Sequence, residues 1–155
     1  YKASCAGVKV LLNVRGICML VPGVKGMSEN IKVVSIVDRY LEHSRIFYFQ
    51  NGSDSEIYLA SADWMPRNLE RRVELMFPIL DKKVFKEVKS ILDVYFEDNC
   101  NAHELKKDGE WIPVLLEEGQ SKRRSQELLY KKYKRRNDSY EKIKQKKFEV
   151  RKKIE

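Results

Sequence analysis

The sequence has few cysteines and no long apolar run. Its three cysteines, Cys5, Cys18 and Cys100, are odd in number and form no CxxC pair. This pattern argues against both a disulfide framework and a zinc knuckle. Reduced thiols in a cytoplasmic protein are the simplest interpretation. No apolar run reaches the roughly 18 residues that span a bilayer, and the first residues do not resemble a signal peptide, so no transmembrane segment is expected.

Glycine-rich nucleotide loops are also missing. Neither GxxxxGK[ST] nor GxGxxG occurs, so any binding of phosphate has to rely on side-chain cations. Arg15 is a candidate because it follows a predicted strand, and ligands of open α/β sheets bind beyond the carboxyl ends of strands. Its guanidinium offers a planar fork of donors that suits phosphate oxygens. Taken alone, Arg15 is better explained as part of a surface ion pair, since most charged side chains are simply solvated.

Acidic residues are scarce near the end of the chain. Residues 121–155 contain 15 Lys and Arg against 5 Asp and Glu, whereas residues 1–120 contain 16 against 18, within a net charge of +8. Such a basic stretch attracts nucleic acid, polyphosphate or an anionic membrane without specificity, and many solvated helices look the same. We therefore expect no specific nucleic-acid partner, and peripheral contact with a membrane remains an option.

The apolar patterns predict an α/β protein in which helices pack on a mixed sheet. The 155 residues suffice for one domain with an appendage. Strands are predicted over residues 8–14, 45–50, 56–62 and 73–79, with an Asn-Gly hairpin turn at 51–52. A helix is predicted over residues 81–97, and a small hairpin around 108–109. Residues 31–41 are apolar on two faces at helical spacing, which predicts a buried helix capped by Ser28.

A basic helical extension is predicted at the end of the chain. Apolar residues from Leu129 to Ile154 recur at alternating spacings of four and three, as in a heptad repeat with two charged interruptions. The segment NDSYE, with Asp138 and Glu141 at capping-box spacing, could instead end one helix and begin another. Either interpretation divides the chain into a domain of residues 1–116 and an extension of residues 117–155.

His43 lies between the predicted helix of residues 31–41 and the aromatic predicted strand of residues 45–50. Arg45 follows it by two residues. On an extended chain these two side chains point to the same side. Such a pair suits phosphoryl transfer, because an imidazole can act as nucleophile or proton shuttle while the cation neutralises charge on phosphorus. A core histidine bonded to the backbone explains the local pattern equally well. Further on, Glu74 is a carboxylate on a predicted strand that could orient a histidine ring by accepting its Nδ1 proton.

Three segments carry a resemblance to a known family. VRGICMLVPG, IVDRYLEHSRIFYF and LASADWMPRNLERRVEL, in this order and with these gaps, resemble the last catalytic domain of bacterial polyphosphate kinase over about residues 1–116. That domain has a phospholipase D-like fold, whose signature is a histidine with a cation at the second following position. His43-Ser44-Arg45 is similar to that signature. The chain would then be one phospholipase D-like half, truncated at its N-terminus, with a basic C-terminal helical extension.

The resemblance implies an enzyme that reversibly transfers the terminal phosphate of ATP to inorganic polyphosphate. In that family the histidine that becomes phosphorylated lies in the preceding domain, so the fragment alone is expected to be inactive. His43 matches a second active-site histidine in the nucleotide pocket and Arg15 matches an ATP-contacting arginine, while Arg45 and Glu74 are further catalytic candidates. Magnesium is expected to bind mainly to upstream groups, with no metal ligand here. A homo-oligomer is expected for the full-length enzyme.

Two other functions fit the sequence. One is a phosphodiesterase of the phospholipase D-like superfamily, although the sequence lacks the HxK motif and the following GSxN of those enzymes. The other is a noncatalytic polyanion-binding module, in which the arginines and the Lys-rich end hold polyphosphate or RNA through counterion release. Labelling of an upstream histidine by ATP would favour the kinase, and salt-sensitive binding without labelling would favour the binding module.

Overall fold

The structure, a computed structural model, describes the backbone of residues 1–140 and the side chains of residues 1–134. Seven strands and four helices lie in this part of the chain. In chain order they are α1 (Lys2–Cys5), β1 (Val10–Asn13), β2 (Ile31–Ile36), β3 (Ile46–Phe49), β4 (Glu56–Ala60), α2 (Pro66–Arg71), β5 (Met76–Pro78), α3 (Lys82–Phe96), β6 (Ala102–Leu105), β7 (Trp111–Pro113) and α4 (Ser125–Tyr140).

The larger of two sheets has the strand order β1-β2-β6-β7. β1 and β2 are parallel, whereas β2 with β6 and β6 with β7 are antiparallel, so this sheet is mixed. The predicted α/β architecture is thus confirmed. Because β1 and β2 run in the same direction, their carboxyl ends share one edge of the sheet. Arg15 and the segment that carries His43 both leave the sheet at this edge, where ligands of α/β proteins bind.

The smaller sheet is antiparallel, with the strand order β3-β4-β5. Its first two strands form the predicted hairpin. Asn51 and Gly52 both have positive φ, 43° and 66°, as a two-residue type I′ turn requires. The hairpin predicted around Asp108 and Gly109 is also present, between β6 and β7.

The helix predicted over residues 31–41 is wrong, because residues 31–36 form the strand β2. Five of its six residues are buried, all except Lys32. β2 lies between β1 and β6, and a strand that is covered on both faces loses the alternation of apolar and polar residues. Ser28 therefore caps no helix here. Its hydroxyl donates to the carbonyl of Val21 (2.6 Å) and accepts from the amide of Val24 (3.0 Å).

The helix predicted over residues 81–97 is confirmed as α3. Its N-cap is Asp81, whose carboxylate accepts hydrogen bonds from the amides of Lys83 and Val84 (2.8 and 2.9 Å). The helix buries Val88 and Tyr95. It contacts β3 and β4 of the smaller sheet as well as α4. Tyr95 also packs in a core cluster of the larger sheet, so α3 links the two sheets.

The end of the described region is one helix, α4, which continues past Asp138 to Tyr140. The remaining positions of the predicted heptad pattern, from Ile143 to Ile154, lie outside the described residues. Within residues 1–140, no helix has both the length and the apolar character that are needed to cross a membrane.

Candidate functional site

Arg15 is fixed at the carboxyl edge of β1 by hydrogen bonds to two other segments. Its Nη1 donates to the carbonyl of Glu42 (2.8 Å), and its Nη2 donates to both carboxylate oxygens of Asp63 (3.0 Å each). The side chain is 27% exposed. Arg15 therefore ties the end of β1 to the segment before His43 and to the loop after β4.

Arg45 makes the second half of this arrangement. Its Nε donates to Asp63 Oδ1 (3.0 Å), and its Nη1 lies 2.8 Å from His43 Nδ1 and donates to the His43 carbonyl (2.9 Å). Asp63 therefore bridges two guanidinium groups, one of which holds the histidine ring. We call Arg15, His43, Arg45 and Asp63 the edge cluster. The structure thus joins His43 and Arg45, which are predicted to lie on one side of the chain, and brings Arg15 to the same carboxylate.

The contact with Arg45 determines which nitrogen of the His43 ring carries the proton. A guanidinium is a donor only, so His43 Nδ1 has to accept this hydrogen bond. The neutral ring consequently carries its proton on Nε2. His43 is an exposed residue. The group that the ring can offer to a ligand is therefore the Nε2–H donor.

Asp63 is held in its ionised form. The hydrogen bond from Arg45 lowers its pKa most, and the charges of Arg15 and Arg45 lower it further, against the opposing effect of partial burial. The carboxylate therefore remains negative at neutral pH. It cancels one of the two guanidinium charges, and the edge cluster keeps a positive charge.

Glu74 belongs to a neighbouring group of side chains. The hydroxyl of Ser61 donates to Glu74 Oε2 (2.5 Å), and Asn68 Nδ2 donates to Oε1 (2.9 Å). These two hydrogen bonds, with that of Ser61 the stronger influence, lower the pKa of Glu74, and the charges of Arg72 and Arg45 add to the effect. Glu74 also lines a cleft of about 270 Å³. The structure thus places Glu74 within reach of the charge of Arg45 but not in a hydrogen bond to His43.

A larger cleft, of about 480 Å³, opens beside His43. Part of its wall is the segment of residues 40–44. The rest comes from Tyr95 of α3 and from Gln126, Leu129 and Tyr130 at the start of α4. The cleft is therefore built by the segment between β2 and β3, by α3, and by α4, which begins beyond residue 116.

The family to which the chain belongs follows from comparison with known proteins. The family model described as "Polyphosphate kinase C-terminal domain 2" matches residues 1–126. The chain belongs to this polyphosphate kinase family. The resemblance found in the sequence is therefore confirmed.

Individual relatives agree with this assignment. A polyphosphate kinase of Rhodopirellula baltica is 54% identical over 130 residues, which are 84% of this chain and 15% of that protein. One of Bacillus anthracis is 55% identical over 115 residues, which are 74% of this chain and 16% of that protein. The crystal structure of polyphosphate kinase from Porphyromonas gingivalis has a TM-score of 0.83 at 40% identity, covering 89% of this chain and 21% of that one. The chain thus spans about a sixth of the length of the two curated relatives.

A magnesium ion is expected for a polyphosphate kinase, and the described residues show no preformed site for it. Magnesium is bound by one or two carboxylates together with substrate phosphates, and the ion keeps several water ligands. Both oxygens of Asp63 are bound by guanidinium groups, and both oxygens of Glu74 are bound by Ser61 and Asn68. Among the described side chains, no three His, Cys, Asp or Glu residues group as a metal site. That magnesium binds mainly to upstream groups, with no ligand in this chain, stays a prediction.

Two residues of the site have no clear signal in the sequence. Asp63 lies 48 positions from Arg15 and 18 from Arg45, and Gln126 lies 84 positions from Glu42. No local spacing rule links residues that are so far apart. The signal that comes nearest for Asp63 is its place just after a strand, in a segment rich in arginine. Gln126 lies in a basic segment, and nothing in that composition indicates a hydrogen bond to Glu42.

Proposed function

We propose that the chain is the part of an ATP:polyphosphate phosphotransferase that binds the phosphates of ATP, while a histidine in an upstream domain carries the transferred phosphate. The observation that supports this is the convergence of the edge cluster at the carboxyl ends of β1 and β2, in a chain of the polyphosphate kinase family. Two guanidinium groups and an imidazole donor suit the oxygens of a triphosphate. The substrates and products would be ATP, ADP and inorganic polyphosphate.

The proposed reaction has two steps. A nitrogen of the upstream histidine forms a bond to the γ-phosphorus, while the bond from that phosphorus to the β–γ bridging oxygen breaks and ADP leaves. A terminal oxygen of polyphosphate then bonds to the phosphorus, and the phosphorus–nitrogen bond breaks. The polymer gains one phosphate and the histidine is restored. The same two steps in reverse form ATP from ADP.

The residues of this chain would position and neutralise the reacting groups. Arg15 binds ATP phosphates, and Arg45 stabilises charge on the transferring group. His43 directs its Nε2–H at the leaving or accepting oxygen and assists proton movement there. Glu74, which its lowered pKa keeps ionised, accepts the Nδ1 proton of the upstream histidine and orients that ring. A carboxylate has about four acceptor positions, so its bonds to Ser61 and Asn68 leave room for this contact.

The proposed partner of this domain is the upstream catalytic domain of the same chain. Apolar side chains in the segments that carry Arg15 and His43 are largely exposed: Ile17 is 91%, Met19 93% and Leu41 71% exposed. Exposed apolar surface of this kind is typical of an interaction site. The curated relatives are several times longer than this chain, and we propose that a further domain of the full-length protein covers that surface. For the full-length enzyme we propose a homo-oligomer in the cytoplasm, with the basic residues after 121 as the part that would contact an anionic membrane.

The test uses the full-length enzyme and ATP labelled on the γ-phosphate. The variant His43→Ala should transfer label to polyphosphate at least about 100-fold more slowly, because a positioned acid or base typically contributes that much. The control is His103→Gln, which changes the chain's other histidine, on β6, and should leave the rate near that of wild type. Transfer at the wild-type rate by His43→Ala would remove His43 from the mechanism.

A parallel test concerns Arg15. The variant Arg15→Ala should weaken ATP binding about 10-fold or more, because hydrogen bonds to charged groups contribute about 1.5–3 kcal/mol. Arg71→Ala, in the exposed last turn of α2, is the matched control. Unchanged ATP affinity in Arg15→Ala would contradict the assignment. Absence of label on any upstream histidine, together with salt-sensitive polyphosphate binding, would support a noncatalytic binding module instead.

A further inference from the structure

We propose that Gln126, in the first turn of α4, is a positioning residue that sets the place of the His43 ring. The proposal rests on the proposed function of His43. It adds to the site a residue that lies beyond the predicted domain of residues 1–116. It also gives the start of α4 a role in phosphotransfer, in place of the role of an appendage.

The amide of Gln126 holds the segment before His43 by three hydrogen bonds. Its Nε2 donates to the carbonyl of Tyr40 (2.7 Å) and to Glu42 Oε1 (2.8 Å). Its Oε1 accepts from the amide of Tyr40 (2.9 Å). The side chain thus satisfies both backbone groups of Tyr40, much as a neighbouring strand would. A loop residue three positions before His43 is therefore fixed in place although it belongs to no strand.

Gln126 can act as a fixed support because the start of α4 is itself anchored. The amide of Ser125 donates to Asp98 Oδ2 (2.7 Å), and Ser125 is fully buried. Arg124 donates through Nε and Nη2 to the two oxygens of Asp38 (2.9 and 2.6 Å). The side chain of Asp38 is only 3% exposed, whereas that of Arg124 is 43% exposed. The residues before Gln126 are thus tied both to the turn after α3 and to the segment after β2.

The path from Gln126 to the histidine ring is short. Glu42 is bound by Gln126 at its carboxylate and by Arg15 at its carbonyl (2.8 Å). The next residue, His43, is bound by Arg45 at both Nδ1 and its carbonyl. Loss of the Gln126 amide would leave the contact of the ring with Arg45 but release the backbone on its amino side. We therefore expect the His43 ring to be misplaced, while its hydrogen bond with Arg45 is retained.

The first experiment compares steady-state kinetics of the full-length enzyme and its variant Gln126→Ala. We expect kcat to fall about 10-fold or more, since small misplacements of a catalytic group reduce rates by up to 100-fold. The KM for ATP should change less than kcat, because Arg15 and its contact with Asp63 are retained. The control is Lys132→Ala, which removes a contact of α4 with Ser90 (2.8 Å) but none with residues 38–44. An equal loss of kcat in the control would overturn the proposal.

A reciprocal exchange separates positioning from general stabilisation of α4. Gln126→Glu places a carboxylate against the carboxylate of Glu42 and the carbonyl of Tyr40, so it should reduce kcat at least as much as Gln126→Ala. Adding Glu42→Gln supplies an amide donor to the new carboxylate and should recover part of kcat. No recovery in the double variant, with both proteins folded as judged by circular dichroism, would contradict the proposed contact.

The last arm distinguishes failure of this proposal from failure of the proposed function. If Gln126 acts through His43, adding Gln126→Ala to His43→Ala should cause no further loss of kcat. An equal loss in both backgrounds would show that Gln126 acts independently, and would overturn the positioning role while the role of His43 stands. Wild-type activity of His43→Ala would instead overturn the proposed function on which the inference rests.

Discussion

At the scale of single residues, Asp63 sets the spacing and the charge of the edge cluster. It accepts hydrogen bonds from Arg15 Nη2 and Arg45 Nε, so the two guanidinium groups are held around one carboxylate. Each guanidinium has five N–H donors, and those not used by Asp63, Glu42 or His43 remain for a ligand. A phosphate can therefore join the cluster as a further acceptor without displacing Asp63.

The prediction at this scale is a pH-dependent stability effect of Asp63→Asn. The folded-state pKa of Asp63 is lowered, so its ionised form stabilises the fold above the ordinary pKa of about 4, and this contribution disappears as the pH falls through the folded-state value. The variant should be less stable by about 1 kcal/mol at pH 7, as expected for a partly exposed ion pair. Urea unfolding of the chain at pH 7 and pH 3 measures this. A difference between variant and wild type that is as large at pH 3 as at pH 7 would contradict the assignment.

The same residues show which parts of the site could be predicted from the sequence. His43 and Arg45 are two positions apart, so a local rule placed them on one side, and the structure joins them at 2.8 Å. Arg15 was identified by its position after a strand. Asp63 and Gln126 were not identified, because their contacts depend on how distant segments meet. Sequence patterns report local geometry, whereas these contacts exist only after the chain has folded.

At the scale of helices and strands, local signals were reliable where a tight turn determines the structure. The hairpin turn at Asn51 and Gly52 needs particular residue types, and its prediction was confirmed, whereas the helix cap predicted at Ser28 was wrong. β2 was predicted as a helix because burial on both faces removes the period of two that identifies a strand. Its β-branched residues, Ile31, Val33, Val34 and Ile36, are the feature that favours a strand.

The prediction at this scale concerns the turn that joins β3 and β4. Gly52 has a φ of +66°, and a Cβ there would meet no other atom within 4 Å, so strain comes from the backbone alone. Gly52→Ala should destabilise the chain by about 1–2 kcal/mol, the usual penalty for a left-handed L-residue. Gly16→Ala is the matched control, since that glycine has the same open surroundings without the positive φ.

Thermal or urea unfolding of the two variants and of wild type tests this expectation. Gly16→Ala should be neutral or more stable by up to about 1 kcal/mol, because alanine reduces the entropy of the unfolded chain. Equal effects at the two positions would show that the turn conformation at Gly52 does not constrain the smaller sheet.

At the scale of the whole molecule, positive charge occurs in two different settings. Arg15 and Arg45 of the edge cluster are held by named partners, with side chains 27% and 16% exposed. The excess in residues 121–155 is set by composition, at 15 cations against 5 anions. Fixed cations can select the geometry of a triphosphate, whereas a cationic stretch attracts any polyanion. Removing the arginines of the edge cluster should therefore have a different effect on phosphate binding from removing the cations of residues 121–155.

The prediction at this scale uses the salt dependence of polyphosphate binding. For DNA, each phosphate-contacting cation adds nearly one unit to the slope of log affinity against log salt, and a linear polyphosphate should behave similarly. The triple variant Lys144→Gln, Lys146→Gln and Lys147→Gln, at positions outside the described residues, should lower this slope by up to about 3 units. It should leave ATP-dependent labelling of the full-length enzyme unchanged at saturating polyphosphate.

The double variant Arg15→Gln and Arg45→Gln should behave in the opposite way. Labelling should fall steeply, because both cations that neutralise the transferring phosphate are lost, while the salt slope should fall by about 2 units at most. Filter binding across a series of salt concentrations and a labelling assay on the same preparations measure both quantities. If the lysine variant lost its labelling and the arginine variant kept it, the edge cluster could not be the phosphate site, and the basic stretch would carry the interaction with polyphosphate by charge alone.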